Sequence, residues 1–308
     1  MSSSGVILYT GKQVITTLVI FFKGLFMGSA DIIPGVSGGT VALITGIYER
    51  FIRALRSIDF KFIPYFFRGL IDRRYLRRAK DNVLSIDFAL LLPLGVGVAV
   101  AFLSLANVMG FLLEEYPTYT YAFFFGLILS SAVLIYISRN KNITVLTILF
   151  LGLGAIMGYL IVGLDAIQAD HSLLIIFISG MITFCAMILP GISGAFILLL
   201  LGQYEFMLGV LRELAALDGS RISYALVYLV GGVIGLVAFS RVLSYLFEKH
   251  RESTLSFIVG LMVGALREPG EVMIGQPGNI PLLLTCGCLG VVVVTIINYL
   301  GRRIPSTA

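Results

Sequence analysis

The sequence predicts an all-α polytopic membrane protein made of two inverted repeats. Each repeat is a re-entrant helix hairpin with a Pro-Gly-x-Ser-Gly tip plus three transmembrane helices. Three observations predict this. First, only 13% of the 308 residues are charged and 58% are hydrophobic, where soluble domains carry about 25% charged residues. Second, long uncharged runs alternate with short charged loops. Third, the break Ala30-Asp31-Ile32-Ile33-Pro34-Gly35-Val36-Ser37-Gly38-Gly39-Thr40 is written again as Ala186-Met187-Ile188-Leu189-Pro190-Gly191-Ile192-Ser193-Gly194-Ala195-Phe196. At an offset of 156 residues, Gly24–Arg56 and Gly180–Arg212 share 13 of 33 positions, where roughly 3 would match by chance.

The first repeat covers 14–165. Its hairpin occupies 19–48, with Pro34 and Gly35 as the turn. Each arm is too short to cross ~30 Å of hydrocarbon at about 1.5 Å per residue if the break lies deep. Two geometries fit, a re-entrant hairpin or one interrupted spanning helix. The run from Val14 to Ala30 looks like a signal peptide, but cleavage after it would cut through the repeated motif. A basic loop follows at 49–81 and holds ten Lys and Arg. Phe51, Ile52, Leu55, Ile58 and Phe62 recur at helical spacing among them, as in an amphipathic helix lying at the headgroup plane against anionic lipids. The cluster fixes this loop on the cytoplasmic side. Spans are expected at 88–113, 119–138 and 143–164.

The second repeat covers 172–300. Its hairpin is 172–202, with Pro190 and Gly191 as the turn, and its spans are 222–247, 254–268 and 280–300. Re-entrant hairpins leave three crossings per half, an odd number that inverts the second half. Lys249, Arg251, Arg302 and Arg303 then lie inside, against Arg212, Arg221 and Arg267 outside. Spanning motifs would reverse that count, so charge favours the inverted form, with both termini cytoplasmic. Outside the motif, Gly95 matches Gly231 and Ser104 matches Ser240 at an offset of 136, and Gly126 matches Gly260 at 134.

A net charge of +5 gathered in one loop does not indicate nucleic acid. Cys185, Cys286 and Cys288 sit in apolar runs without metal spacing, and two His cannot build a metal site. No cofactor is expected. Ser37 and Ser193 stand where an N-cap belongs. Gly38, Gly39 and Thr40, and Gly194 and Ala195, form the helix starts behind them, where amide N–H groups attract an anion. Arg241 lies inside a span and suits a phosphate. Asp31, Glu49 and Glu205 are candidates for a coupling cation, proton or sodium. Arg56 and Arg212 are the candidate ion-pair partners of Glu49 and Glu205, and Arg267 either faces a cavity or marks the outer end of its span.

The two motifs, the second running Leu-Pro-Gly-Ile-Ser-Gly-Ala-Phe-Ile-Leu-Leu-Leu-Leu-Gly-Gln-Tyr-Glu, resemble the PopT family of bacteria and archaea over nearly the whole chain. The resemblance implies transport of polyprenyl phosphate, chiefly undecaprenyl phosphate, across the cytoplasmic membrane for carrier-lipid recycling in peptidoglycan and envelope synthesis. The residues themselves leave open an ion-coupled transporter of a small soluble anion. A membrane enzyme acting on a lipid phosphate fits less well, because no Asp-x-x-Asp or Gly-x-x-x-x-Gly-Lys motif is present.

Overall fold

A computed structural model describes residues 3–31, 37–69, 72–139, 144–164, 170–215, 219–275 and 278–303. Every regular element among them is helical. In order these are α1 (Ser3–Asp31), α2 (Gly38–Ile44), α3 (Tyr48–Arg56), α4 (Phe62–Gly69), α5 (Arg73–Leu84), α6 (Phe88–Glu115), α7 (Pro117–Arg139) and α8 (Val145–Val162). Then come α9 (Leu173–Ile188), α10 (Gly194–Leu200), α11 (Tyr204–Ala215), α12 (Ile222–Lys249), α13 (Arg251–Ala265), α14 (Arg267–Gly275) and α15 (Ile280–Arg303). Segments Val14–Asp31, Pro117–Ile137, Val145–Val162 and Ile222–Lys249 are long and apolar enough to cross a membrane. The basic loop resolves into three short helices rather than one, and the stretch expected at 254–268 divides at Leu266. Asp72 starts α5 by accepting from the Arg74 amide at 2.9 Å.

The break folds the chain back on itself in both halves. Asp31, ending α1, touches Gly38 at the start of α2. Two turns earlier Lys23 donates to the Thr45 carbonyl just past α2 at 2.9 Å, so α2 runs back beside α1. In the second half Met187 faces Gly194, and His171, before α9, meets Gln203, after α10, at 2.8 Å. Both short helices end alike. Gly46 and Gly202 take φ of 74° and 65°, left-handed values open to glycine without strain. The amides that follow satisfy orphan carbonyls in the same way, Ile47 to Ala42 and Gln203 to Leu198, each at 3.0 Å. The chain then turns sharply, by 116° between α10 and α11.

Four helix pairs carry the most extensive packing: α1 with α6, α9 with α12, α8 with α13, and α7 with α15. Each seam is lined by small residues that let backbones approach closely. A methyl on Gly97 would overlap the Phe21 carbonyl, and one on Gly231 the Phe177 carbonyl. The partners Phe21 and Phe177 are 156 apart and Gly97 and Gly231 are 134 apart. The structural register of α6 against α12 is therefore 134, not the 136 expected from the Gly95/Gly231 match. Gly95 itself faces open space. The turn after α6 fixes the same register: Thr120 Oγ1 donates to the Leu112 and Tyr116 carbonyls, and Thr254 Oγ1 to those of Leu246 and His250.

Direction along each seam follows from its contacts. Gly24 meets Leu94 and Gly28 meets Val98, so α1 and α6 run the same way. Gly180 meets Tyr228 and Gly235 meets Met181, so α9 and α12 do too. Gly154 meets Phe257 and Gly158 meets Leu261. Likewise the Asn279 amide meets the Tyr119 hydroxyl and, a little further along both segments, Gly126 meets Gly287. The main core lies where the halves meet and joins Tyr48, Ile52 and Leu55 of α3 to Leu243 and Phe247 of α12 and to Ile258 and Met262 of α13.

Candidate functional site

The two breaks meet at the centre of the protein. Helix α9 ends with carbonyls that have no partner further along the helix, and the first break supplies partners. Ser37 Oγ donates to the Leu189 carbonyl at 3.1 Å and lies 3.4 Å from that of Met187. Tyr48 donates its hydroxyl to the Ile188 carbonyl at 3.0 Å. The Gly191 amide donates to Thr40 Oγ1 at 3.0 Å. Gly39 lies so close to the Ile188 carbonyl that a methyl would overlap it. Ser37, Thr40 and Tyr48 are buried, as are Ser193 and Gly194. Gly191 holds a φ of 88° beside the Met262 backbone.

The helix starts have the expected caps. Ser37 accepts from the Gly39 amide at 3.1 Å and Ser193 from the Phe196 amide at 3.4 Å. They differ in what covers them. The Gly38 amide donates to the Asp31 carboxyl at 2.6 Å, so the start of α2 is already covered by an acceptor of the chain itself. In the second half Met187 stands in place of Asp31 and lays its thioether over Gly194. Pro34 and Gly35 lie outside the described residues, whereas Pro190 is buried at the second turn.

The remaining candidates lie away from the tips. Arg241 is exposed and donates to the Ile58 carbonyl at 3.5 Å, ten residues after Tyr48 and roughly 15 Å along the chain if helical. It also faces Asp59. Burial pushes that carboxyl upward, but the Lys61 amide and ammonium and the Arg241 charge carry it below the ordinary carboxylate value. Glu49 is held by Arg251 at 2.7 Å. Arg56 pairs with Glu248 and donates to Ser244 at 2.8 Å. Arg50 and Asp87 pair at 2.9 Å. These ion pairs tie α3 to the start of α6 and to the α12–α13 corner, on the face of the basic helices. Glu205 is exposed at the start of α11, and the Arg212 side chain lies outside the described residues. Arg267 bonds Glu271 at 2.7 Å and the Tyr159 carbonyl at 3.1 Å, joining α14 to α8. No cluster of His, Cys, Asp and Glu suited to a metal occurs among the described residues.

Sequence reasoning did not assign roles to Tyr48, Arg251 or Glu248. The recurrence of Tyr48 as Tyr204 within the repeat was a usable sign for the first. The other two are marked only by their contacts with α3.

The chain has counterparts among known sequences. The sequence model of a family described as "VCA0040-like: Undecaprenyl phosphate translocase-like" matches residues 27–272. The chain belongs to the undecaprenyl phosphate translocase-like family. The matched stretch contains both breaks and every ion pair described above. The polyprenyl-phosphate transporter of Vibrio cholerae serotype O1 is 39% identical over 251 residues, 81% of this chain and 76% of that protein. The polyprenyl-phosphate transporter of Staphylococcus aureus is 30% identical over 269 residues, 84% of this chain and 87% of that protein. No solved structure matches this member of the translocase-like family.

Proposed function

We propose that this protein is a transporter, not an enzyme, and translocates polyprenyl phosphate, chiefly undecaprenyl phosphate, across a bacterial cytoplasmic membrane. The substrate class rests on family membership and on the two transporters it resembles. The mechanism rests on one observation: the two Ser/Gly breaks, about 150 residues apart in sequence, are hydrogen-bonded to each other at the junction of the repeats. A polyprenyl phosphate has a small anionic head and a long apolar tail. Only the head needs a polar path, while the tail stays in lipid.

The repeats are read as inverted and the hairpins as re-entrant. Helices α1 and α6 run in the same direction, so the chain returns to its starting face before α6 begins, as a re-entrant hairpin requires. The pair α9 and α12 repeats this. Consecutive spans α7 and α8 reverse direction, α13 runs with α8, and so α13 opposes α7, its counterpart in the first half. Unwound backbone at the midplane of inverted repeats is the expected place for a transported anion.

Headgroup binding falls to Ser193, Gly194 and Ala195, where no carboxylate competes. Ser37, Gly38, Gly39 and Thr40 join once Asp31 releases the Gly38 amide. Arg241 serves as a cation on the path from the cytoplasmic face. Asp31 and Glu205 are the places for a coupling proton or sodium, since Arg251 already neutralises Glu49. The hairpin α4–α5 exposes Phe66 and Phe67 beside Arg68, Arg73, Arg74, Arg77 and Arg78, the composition of a surface that rests on anionic lipid.

Competition binding tests the reading. Purified protein is expected to bind a short-chain polyprenyl phosphate and to be displaced by undecaprenyl phosphate but not by millimolar inorganic phosphate. Displacement by inorganic phosphate alone would point to a soluble-anion transporter instead.

A further inference from the structure

The two helix starts differ in their neighbours as well as in what covers them. Offsets of 156 between α1 and α9, and of 134 between α6 and α12, carry Gly24 and Leu94 onto Gly180 and Tyr228. The contact itself recurs, since a methyl on either glycine would overlap its partner's carbonyl. In this register Met27 and Leu94 of the first half become Thr183 and Tyr228 of the second, and Asp31 becomes Met187. The first half therefore brings a carboxyl acceptor to its helix start, beside apolar neighbours. The second brings an apolar cover, beside two hydroxyls.

Thr183 is 3% exposed and shares a face of α9 with Gly180 and Met187. Its methyl approaches Gly194. A threonine on a helix commonly turns its hydroxyl back to the carbonyl four residues earlier. Thr45, Thr120, Thr254, Thr285 and Thr295 all do so, at 2.7 to 2.9 Å. Thr183 does not, and its buried Oγ1 has no hydrogen-bond partner among the described residues. The Tyr228 hydroxyl lies beside it without reaching hydrogen-bond geometry. Tyr228 packs on the cluster of Ile176, Leu198 and Met207, contributed by α9, α10 and α11. Its ring stands edge-on to Phe184, with centroids 5.7 Å apart. The two hydroxyls thus lie where α9, α10 and α12 join, and Thr183 is one turn from the Met187 thioether over Gly194. A buried hydroxyl without a partner is costly, and the fold keeps one beside the second break.

We infer that Thr183 and Tyr228 bind the headgroup, donating their hydroxyls to phosphate oxygens once the Met187 side chain swings off Gly194. The inference rests on the phosphate-bearing substrate proposed above. A phosphate presents several acceptor oxygens on one small centre, so a single bound head gives the Thr183 hydroxyl the partner it lacks. Met187 suits the part of a displaceable cover. Its unbranched thioether is flexible and only a weak acceptor, so it yields to an anion at little cost. Met27 and Leu94 offer no hydroxyl in the first half. The head is therefore held from the second half, and the first contributes only after Asp31 lets go of the Gly38 amide.

Two substitutions that keep side-chain shape separate binding from packing. Thr183→Val removes the hydroxyl and keeps the branch, and Tyr228→Phe removes only the phenolic oxygen. The probes are farnesyl phosphate and farnesol, one tail with and without its phosphate, and inorganic phosphate. Purified Thr183→Val is expected to bind farnesyl phosphate about tenfold more weakly, the worth of one hydrogen bond to a charged group. It should bind farnesol as the native protein does. Its Tm should hold or rise, because the hydroxyl it loses has no partner in the protein. Tyr228→Phe should weaken farnesyl phosphate severalfold with the same selectivity, and Thr183→Ser, which keeps the hydroxyl, should bind as the native protein does. Native affinity for farnesyl phosphate in Thr183→Val overturns the inference. So does an equal loss for both prenyl probes, or a lowered Tm, since either makes the hydroxyl a structural one. A native protein that prefers inorganic phosphate, with that binding weakened in Thr183→Val, would leave the two hydroxyls standing and reject the lipid substrate. Binding of no phosphate at all by the native protein rejects both.

Discussion

At the scale of single residues the tip is a small set of exchanged hydrogen bonds. Ser37 both caps α2 and satisfies the end of α9. Ser37→Ala removes the cap and leaves a buried carbonyl short of a partner, and should cost about 1–3 kcal/mol. Thermal unfolding in detergent is expected to show a lowered Tm, and an unchanged Tm would mean the bond contributes nothing. Asp31 competes with any incoming anion for the Gly38 amide. Replacing it by Asn exchanges a charge-assisted bond for a neutral one, a difference on the order of 1 kcal/mol. Binding of a short-chain polyprenyl phosphate should tighten severalfold, and weaker binding would show that Asp31 supports the headgroup rather than excluding it. The serines and glycines of the tip were legible in the sequence because N-cap chemistry is local. The partners of Ser37 and Tyr48 were not, because they lie 140 to 152 residues away. Arg241 looked like a site residue because it sits inside an apolar span, yet its length carries it to the Ile58 carbonyl.

At the scale of elements, glycine seams hold the helices together, and they separate two neighbouring positions on α6. Gly95 faces open space and Gly97 abuts the Phe21 carbonyl. Gly95→Ala should be neutral or stabilising by up to about 1 kcal/mol. Gly97→Ala forces the α1–α6 seam apart and should cost about 1–3 kcal/mol. Comparable Tm values for the two would contradict the register. Sequence alone matched Gly95 to Gly231 because identity of residue type outweighed a two-residue shift that only packing reveals. The hairpin α4–α5 offers a direct reading of membrane depth, since the chain has no Trp. Phe67→Trp should be quenched by brominated lipid and shifted to the blue when anionic lipid is present. Emission typical of water would remove the hairpin from the bilayer surface. The amphipathic character of this region was readable from its spacing. Its division into three helices was not, because Pro64 and the Asp72 cap act on chain geometry rather than on periodicity.

At the scale of the whole molecule, a duplicated sequence has folded into halves whose long seams repeat, α1–α6 as α9–α12 and α7–α15 as α8–α13. Hydropathy and the repeated motif made the class and the duplication legible. How the halves join was not legible, because Ser37 and Tyr48 reach carbonyls 140 to 152 residues away. The most direct test of transport uses liposomes of purified protein, with a fluorescent short-chain polyprenyl phosphate reduced chemically from the outside. Rapid loss of the inner-leaflet signal is expected, slowed about tenfold by Ser193→Ala, a loss on the order of one charge-assisted hydrogen bond. Inner-leaflet signal that persists as in protein-free liposomes would contradict it.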